Sequence, residues 1–128
     1  MPMLELGKEQ MRVMRVLWEM KRASAQEITN ALNEDEPTKL VCVQMLLRRL
    51  VQKKAVSYDV DNRTYRYFPL IRQEQVTNHA LRTFIDHIFA GSTDEMVSYV
   101  LKNEPVSPEV LNEIRNLLDG RSDEEEHR

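Results

Sequence analysis

A run near the middle of the chain, VCVQMLLRRLVQKKAVSY at residues 41–58, holds the side chains with the clearest chemistry. Arg48, Arg49, Lys53 and Lys54 crowd onto a stretch whose apolar residues recur at helical spacing. Guanidinium and ammonium groups at this density suit phosphate, and Arg also suits the acceptor edge of guanine. Gln44, one turn earlier, carries an amide that can pair with adenine through two hydrogen bonds. Arg63 and Arg66 follow on the next segment. This is the chemistry of holding a polyanion. The chain shows no Gly-rich phosphate loop, nucleophile elbow or metalloprotease helix, and its acids, Ser and His lack a catalytic spacing.

The net charge of -3 hides this run. Residues 37–72 carry 8 basic and 2 acidic side chains, against 5 and 7 in residues 1–36 and 5 and 12 in residues 73–128. Phosphate responds to charge within a Debye length of roughly 8 Å, so the regional balance decides, and it favours nucleic acid.

Composition bounds the rest. A hydrophobic content of 41% supplies a core, and with only 6% aromatics that core must be Leu, Val, Ile and Met. Three Gly and five Pro favour long helices over a turn-rich β fold. Cys42 is the single cysteine, which excludes an internal disulfide and fits a reducing compartment. The start, MPMLELGKEQ, lacks the basic and apolar regions of a signal peptide. No apolar run approaches the ~20 residues that span a bilayer, so a cytoplasmic location without a membrane partner is expected.

The elements that position the basic run follow from periodicity. GKEQMRVMRVLWEMKRA reads as a first helix and SAQEITNALN as a second, with Ser24 and Glu27 forming a capping box. Pro37 suits the first turn of a third helix, expected from about Thr38 to Lys54. Val43, Leu46, Leu47 and Leu50 would face the core. Val41, Met45, Arg48 and Gln52 would face outward, flanked by Thr38, Cys42, Gln44 and Arg49. AVSYDV and TYRYFPL alternate about the turn DNR and predict a β-hairpin. Helical patterns then return: Val76 to Phe89, ended by Gly91; TDEMVSYVLK with Thr93 as cap; and SPEVLNEIRNLL with Ser107 as cap. The last residues, 121–128, read as a charged, disordered tail.

Three helices followed by a hairpin make a winged helix, a helix-turn-helix variant whose last helix enters the major groove. The expected fold is mainly α with a small β-hairpin. A winged helix-turn-helix domain (1–71) precedes a helical dimerisation region (72–120). The candidate DNA-binding residues are Thr38, Lys39, Val41, Cys42, Gln44, Met45, Arg48, Arg49, Lys53, Arg63 and Arg66. The helical extension is too apolar to bury itself alone. Its candidate contact residues are Leu81, Phe84, Ile85, Ile88, Phe89, Val97, Val100, Leu101, Leu111, Ile114, Leu117 and Leu118. His79 and His87 stand too far apart on one helix to share a metal, and no cofactor is expected.

The stretch LGKEQMRVMRVLWEM…ASAQEITNAL resembles the penicillinase repressor (BlaI/MecI) family, with its V-x-x-L-W first helix and A-x-E-I-x-x-x-L second helix. The third helix and the strand Tyr65-Arg66-Tyr67-Phe68-Pro69-Leu70 resemble that family too, and the likeness spans roughly residues 5 to 119. The resemblance implies a bacterial, homodimeric transcriptional repressor at a dyad operator, not an enzyme. Its partners would be double-stranded DNA, a second copy of itself and an inducing partner, a sensor-protease in some relatives. Where the family carries Lys-Thr and a further Thr on the third helix, this chain has Val41-Cys42 and Met45, so no operator sequence carries over. The family's Asn-Phe cleavage bond aligns with Tyr99-Val100, and the copper-binding cysteines of one branch are absent. The alternative is a winged-helix module that recognises protein rather than DNA.

Overall fold

A computed structural model describes residues 4–126, with side chains through residue 120. The first helix forms as α1, Lys8–Met20. Val13, Met14 and Leu17 make its buried stripe, as amphipathic spacing requires. The Gln10 side chain closes its start by accepting from the Gly7 N–H at 3.1 Å. At its end Lys21 takes a positive φ of 71° and donates to the Leu17 carbonyl. A two-residue strand, β1 (Ala23–Ser24), follows. It is too short to carry an alternating pattern.

The second helix, α2, is Ala25–Asn33. Its capping box is the expected one: Ser24 Oγ accepts from the Glu27 N–H at 3.1 Å, and the Glu27 carboxylate accepts from the Ser24 N–H at 3.0 Å. The third helix, α3, is Leu40–Gln52, shorter than expected at both ends. Its late start traces to Asn33. That side chain donates to the Thr38 carbonyl at 2.8 Å and accepts from the Thr38 N–H at 2.9 Å. Thr38 is thereby turned back toward α2, and the Lys39 carbonyl becomes the first helical acceptor. Pro37 accordingly lies in the connecting turn, not in the helix. At the other end Ala55 N–H bonds to the Leu50 carbonyl and Lys54 N–H to that of Val51, with Lys54 at φ 66°. This is a Schellman stop, with lysine in the left-handed position that glycine usually fills.

The hairpin is β2 (Val56–Asp61) and β3 (Thr64–Pro69), with Tyr58 opposite Tyr67 and Val60 opposite Tyr65. Asn62 and Arg63, at φ 49° and 66°, form the two-residue turn expected of a type I′ hairpin. β1 pairs with the other edge of β3, giving a three-stranded antiparallel sheet in the order β1-β3-β2. Val43, Leu47 and Leu50 of α3 join the α1 stripe, Ile28 and Leu32, Ala55, Val56, Ile71 and Val76 in one core. Trp18 Nε1 donates to the Ile71 carbonyl at 2.9 Å.

The next helix, α4, is Gln73–Ile88. The chain divides into two compact units, Met1–Phe84 and Ile85–Arg128. The expected boundary after residue 71 falls inside the first unit, because Ile71 and Val76 share the core of α1 to α3. The second unit contains α5 (Thr93–Asn103) and α6 (Pro108–Glu126). Ser92 rather than Thr93 caps α5, accepting from the Glu95 N–H at 3.1 Å. Ser107 caps α6 through the Val110 N–H at 3.2 Å. α6 is helical through Glu126, where composition led to an expectation of disorder; no proline interrupts the run and its glutamates are good helix formers. Residues 127 and 128 lie outside the described residues. Among the described residues no helix is long and apolar enough to cross a membrane.

Two stability measurements check this account. Leu47 is fully buried and Met45 is 49% exposed. Leu47→Ala should lower the urea unfolding free energy by about 3 kcal/mol, and Met45→Ala by less than about 0.5 kcal/mol. The second concerns Glu27, whose carboxyl is held below its ordinary value of 4.5 by the Ser24 backbone N–H, the Ser24 hydroxyl and the Arg66 charge. A pKa depressed by folding adds stability above the unfolded value and loses it as pH falls through the folded value. Glu27→Gln should therefore be less stable than the parent at neutral pH and converge with it as pH falls through the lowered pKa of the folded state, read as urea midpoints.

Candidate nucleic-acid interface

Burying Val43, Leu47 and Leu50 forces the other side of α3 outward. Val41 and Met45 are exposed there, together with Cys42, Gln44, Arg48 and Arg49. Leu46, expected in the core stripe, is half-buried and packs against its margin. Two grooves flank the exposed ridge. One, of about 590 Å³, runs between Lys39, which caps α3, with Cys42, Met45 and Arg49 of α3, and Glu9 and Arg12 of α1. The other, of about 360 Å³, runs between Gln44, Arg48 and Val51 of α3 and Tyr58, Tyr65 and Tyr67 of the hairpin. Helix and hairpin thus share one surface.

A residue at the edge of that surface holds α3 in place. Arg12, with its side chain 11% exposed, crosses from α1 to the turn before α3. It donates to the Leu32 carbonyl at 3.4 Å, the Glu36 carbonyl at 3.5 Å and Thr38 Oγ1 at 3.4 Å. Its charge is met by Glu9 at 3.0 Å and Glu36 at 3.9 Å. Sequence reasoning passed over Arg12 and Asn33, because only the folded turn shows what they grip.

The charged candidate contacts sort into two groups. Lys39, Arg48, Arg49 and Arg63 have no acidic side chain at ion-pair distance among the described residues. Two others are engaged within the fold. Arg66 pairs with Glu27 at 3.1 Å and Asp61 at 3.6 Å. Lys53 Nζ donates to the Glu5 carbonyl at 2.7 Å and to Gln10 Oε1 at 2.8 Å, tying the end of α3 to the start of α1. Both of its partners are neutral, so its charge persists. Thr38 is clamped by Asn33, and its hydroxyl donates to the Glu36 carbonyl at 2.9 Å.

Strand register separates charge from aromatic surface. Asp59, Asp61, Arg66 and Phe68 share one face. There Arg22 ion-pairs with Asp59 and lies 5.1 Å from the Phe68 ring centre. Tyr58, Val60, Tyr65 and Tyr67 share the other face. Tyr58 stacks on Tyr65 at 4.9 Å and 15°, and tilts against Tyr67 at 5.7 Å. Burial, then Tyr58 and Tyr65, push the Tyr67 phenol above its ordinary 10.0, while the Arg48 charge opposes them. Tyr67 therefore stays protonated, a donor beside Arg48. The strand pattern signalled these tyrosines, but a search for basic groups overlooked them.

The candidate dimer residues also divide. Ile85 is buried within the chain and is not available to a partner, unlike the rest of its stripe. Leu81 and Phe84 are exposed in the first unit. In the second unit Ile88, Val97, Val100, Leu101, Leu111, Leu117 and Leu118 are exposed, with Leu117 at 68%. Phe89 and Ile114 are half-buried, and the Phe89 ring lies 6.0 Å from that of Tyr99. Among the described residues no three His, Cys, Asp or Glu side chains gather to hold a metal.

The penicillinase repressor family model matches residues 6–120. The methicillin resistance regulatory protein MecI of Staphylococcus aureus is 24% identical over 114 residues, 89% of this chain and 93% of that protein. The penicillinase repressor of Bacillus licheniformis is 24% identical over 115 residues, 90% of each chain. The penicillinase repressor of Staphylococcus aureus is 23% identical over 115 residues, 90% of this chain and 91% of that protein.

Proposed function

The chain belongs to the penicillinase repressor family, and from that premise we propose that it is a homodimeric transcriptional repressor that occupies a dyad operator and blocks transcription sterically. It is a regulator and not an enzyme. One observation carries the DNA-binding part: Lys39, Arg48, Arg49 and Arg63 lack acidic partners among the described residues and surround the exposed face of α3 and the hairpin turn. α3 enters the major groove and the hairpin follows the backbone as a wing. Val41 and Met45 suit thymine methyl groups, and Gln44 suits an adenine edge. Arg63 holds a left-handed backbone that costs an ordinary side chain about 1 kcal/mol, and an arginine kept at such a turn tip fits a phosphate contact.

The exposed apolar residues of α5 and α6 support self-association, since a monomer rarely leaves so much apolar surface in water. A two-fold dimer matches a dyad operator, with half-sites spaced by whole turns of the duplex. Each half-site alone binds weakly, so an event that separates the subunits ends repression. The site of action is the cytoplasm, where promoter DNA lies. Methicillin resistance and penicillinase belong to the relatives' names; the regulated genes of this chain follow from its own operator.

Fluorescence anisotropy across a salt series, on duplexes tiling the region upstream of its own coding sequence and on scrambled DNA, tests the interface. Binding should be tighter on one promoter segment and fall steeply with salt. Arg49→Ala combined with Arg63→Ala should flatten the slope by up to about two units. An unchanged slope would place the footprint elsewhere, and salt-independent binding would favour protein recognition. For the dimer, Leu117→Glu with Leu118→Glu should give a monomer in sedimentation and weaken operator binding by about 100-fold. A dimer that persists would remove these residues from the contact.

A further inference from the structure

The wing carries a surface that charge does not explain. Tyr58, Val60 and Tyr65 lie on the hairpin face turned toward α3, and they are 42%, 57% and 49% exposed. A stacked aromatic pair left this open gains little for the fold. Its position is specific, because the groove of about 360 Å³ beneath it ends on Gln44 and Arg48. On the opposite hairpin face, Arg22 and Arg66 are matched by Asp59, Asp61 and Glu27. Neutralised charge on one side and open aromatics beside unpaired arginine on the other leave one side of the wing suited to a polyanion.

We propose that Tyr58 and Tyr65 are DNA-contact residues, their rings packed along the deoxyribose of the strand beside α3 and their hydroxyls donating to its phosphates. The inference rests on the repressor reading and adds an uncharged component to its interface. A phenol has the two properties that this place requires. Its ring covers sugar, and its hydroxyl is a donor to phosphate oxygen that displaces no counterion. The stack at 4.9 Å holds both rings before DNA arrives, so little side-chain freedom is lost on binding. Tyr67, half-buried behind them and 5.7 Å from Tyr58, backs the pair.

The test uses the full-length chain and the promoter segment that the parent protein selects. Tyr58→Phe and Tyr65→Phe keep the rings and delete only the hydroxyls. Each should weaken binding about 3- to 10-fold while leaving the salt slope at the parent value. Arg63→Ala, by contrast, should lower that slope by about one unit. Tyr58→Leu with Tyr65→Leu should weaken binding further, again without changing the slope, and melting curves will show whether that variant stays folded. Phe variants that bind as the parent does would overturn this inference and leave the repressor reading standing. A slope that falls in the Phe variants would overturn it as well. A parent protein that selects no promoter segment would overturn the repressor reading, and this inference with it.

Discussion

The whole arrangement depends on one dry helix face. Val43, Leu47 and Leu50 are fully buried, and each contributes about 1.5–3 kcal/mol by leaving water. Burying that stripe fixes the rotation of α3, and rotation decides which side chains reach a ligand. Arg48, Arg49, Gln44 and Met45 point outward because their neighbours in the helix cannot. Arg12 and Asn33 complete the constraint by fixing where α3 begins, and Lys53 ties its end to the start of α1. Each of these polar contacts is modest alone. Together they turn a short amphipathic helix into a rigid projection.

The hairpin applies the same logic through its pleat. Its register sends acids and their arginine partners to one face and tyrosines to the other. Charge is cancelled where Asp59 and Asp61 lie and left open beside α3. This sorting explains how a chain with a net charge of -3 can present a local cationic surface. It also explains why summing charges along the sequence overstates that surface. Arg66 counts toward the sum, yet two carboxylates already hold it.

Much of this was legible beforehand, where local rules act without competition. The α2 capping box, the buried stripe of α3 and the hairpin needed only spacing and residue type. The turn before α3 was not legible, because Asn33 grips Thr38 across five residues and overrides the helix-starting preference of Pro37. β1 was hidden because it exists only through its pairing with β3. Among site residues, Arg48 and Arg49 were readable as exposed cations. Lys53 and Arg66 looked the same in sequence and differ only because Gln10, Glu5, Glu27 and Asp61 meet them in space. The tyrosine face needed the strand register, which the positive-φ pair Asn62 and Arg63 sets.

The central claim is that α3 and the wing tip form the DNA-binding surface. It is tested most directly by titrating isotope-labelled protein with its promoter duplex and following the backbone amide resonances. The account predicts that the largest shifts fall on Lys39 to Arg49 and on Asn62 and Arg63, with α5 and α6 little changed from the free protein. Shifts concentrated on α5 and α6, or binding that leaves α3 unmoved, would contradict it.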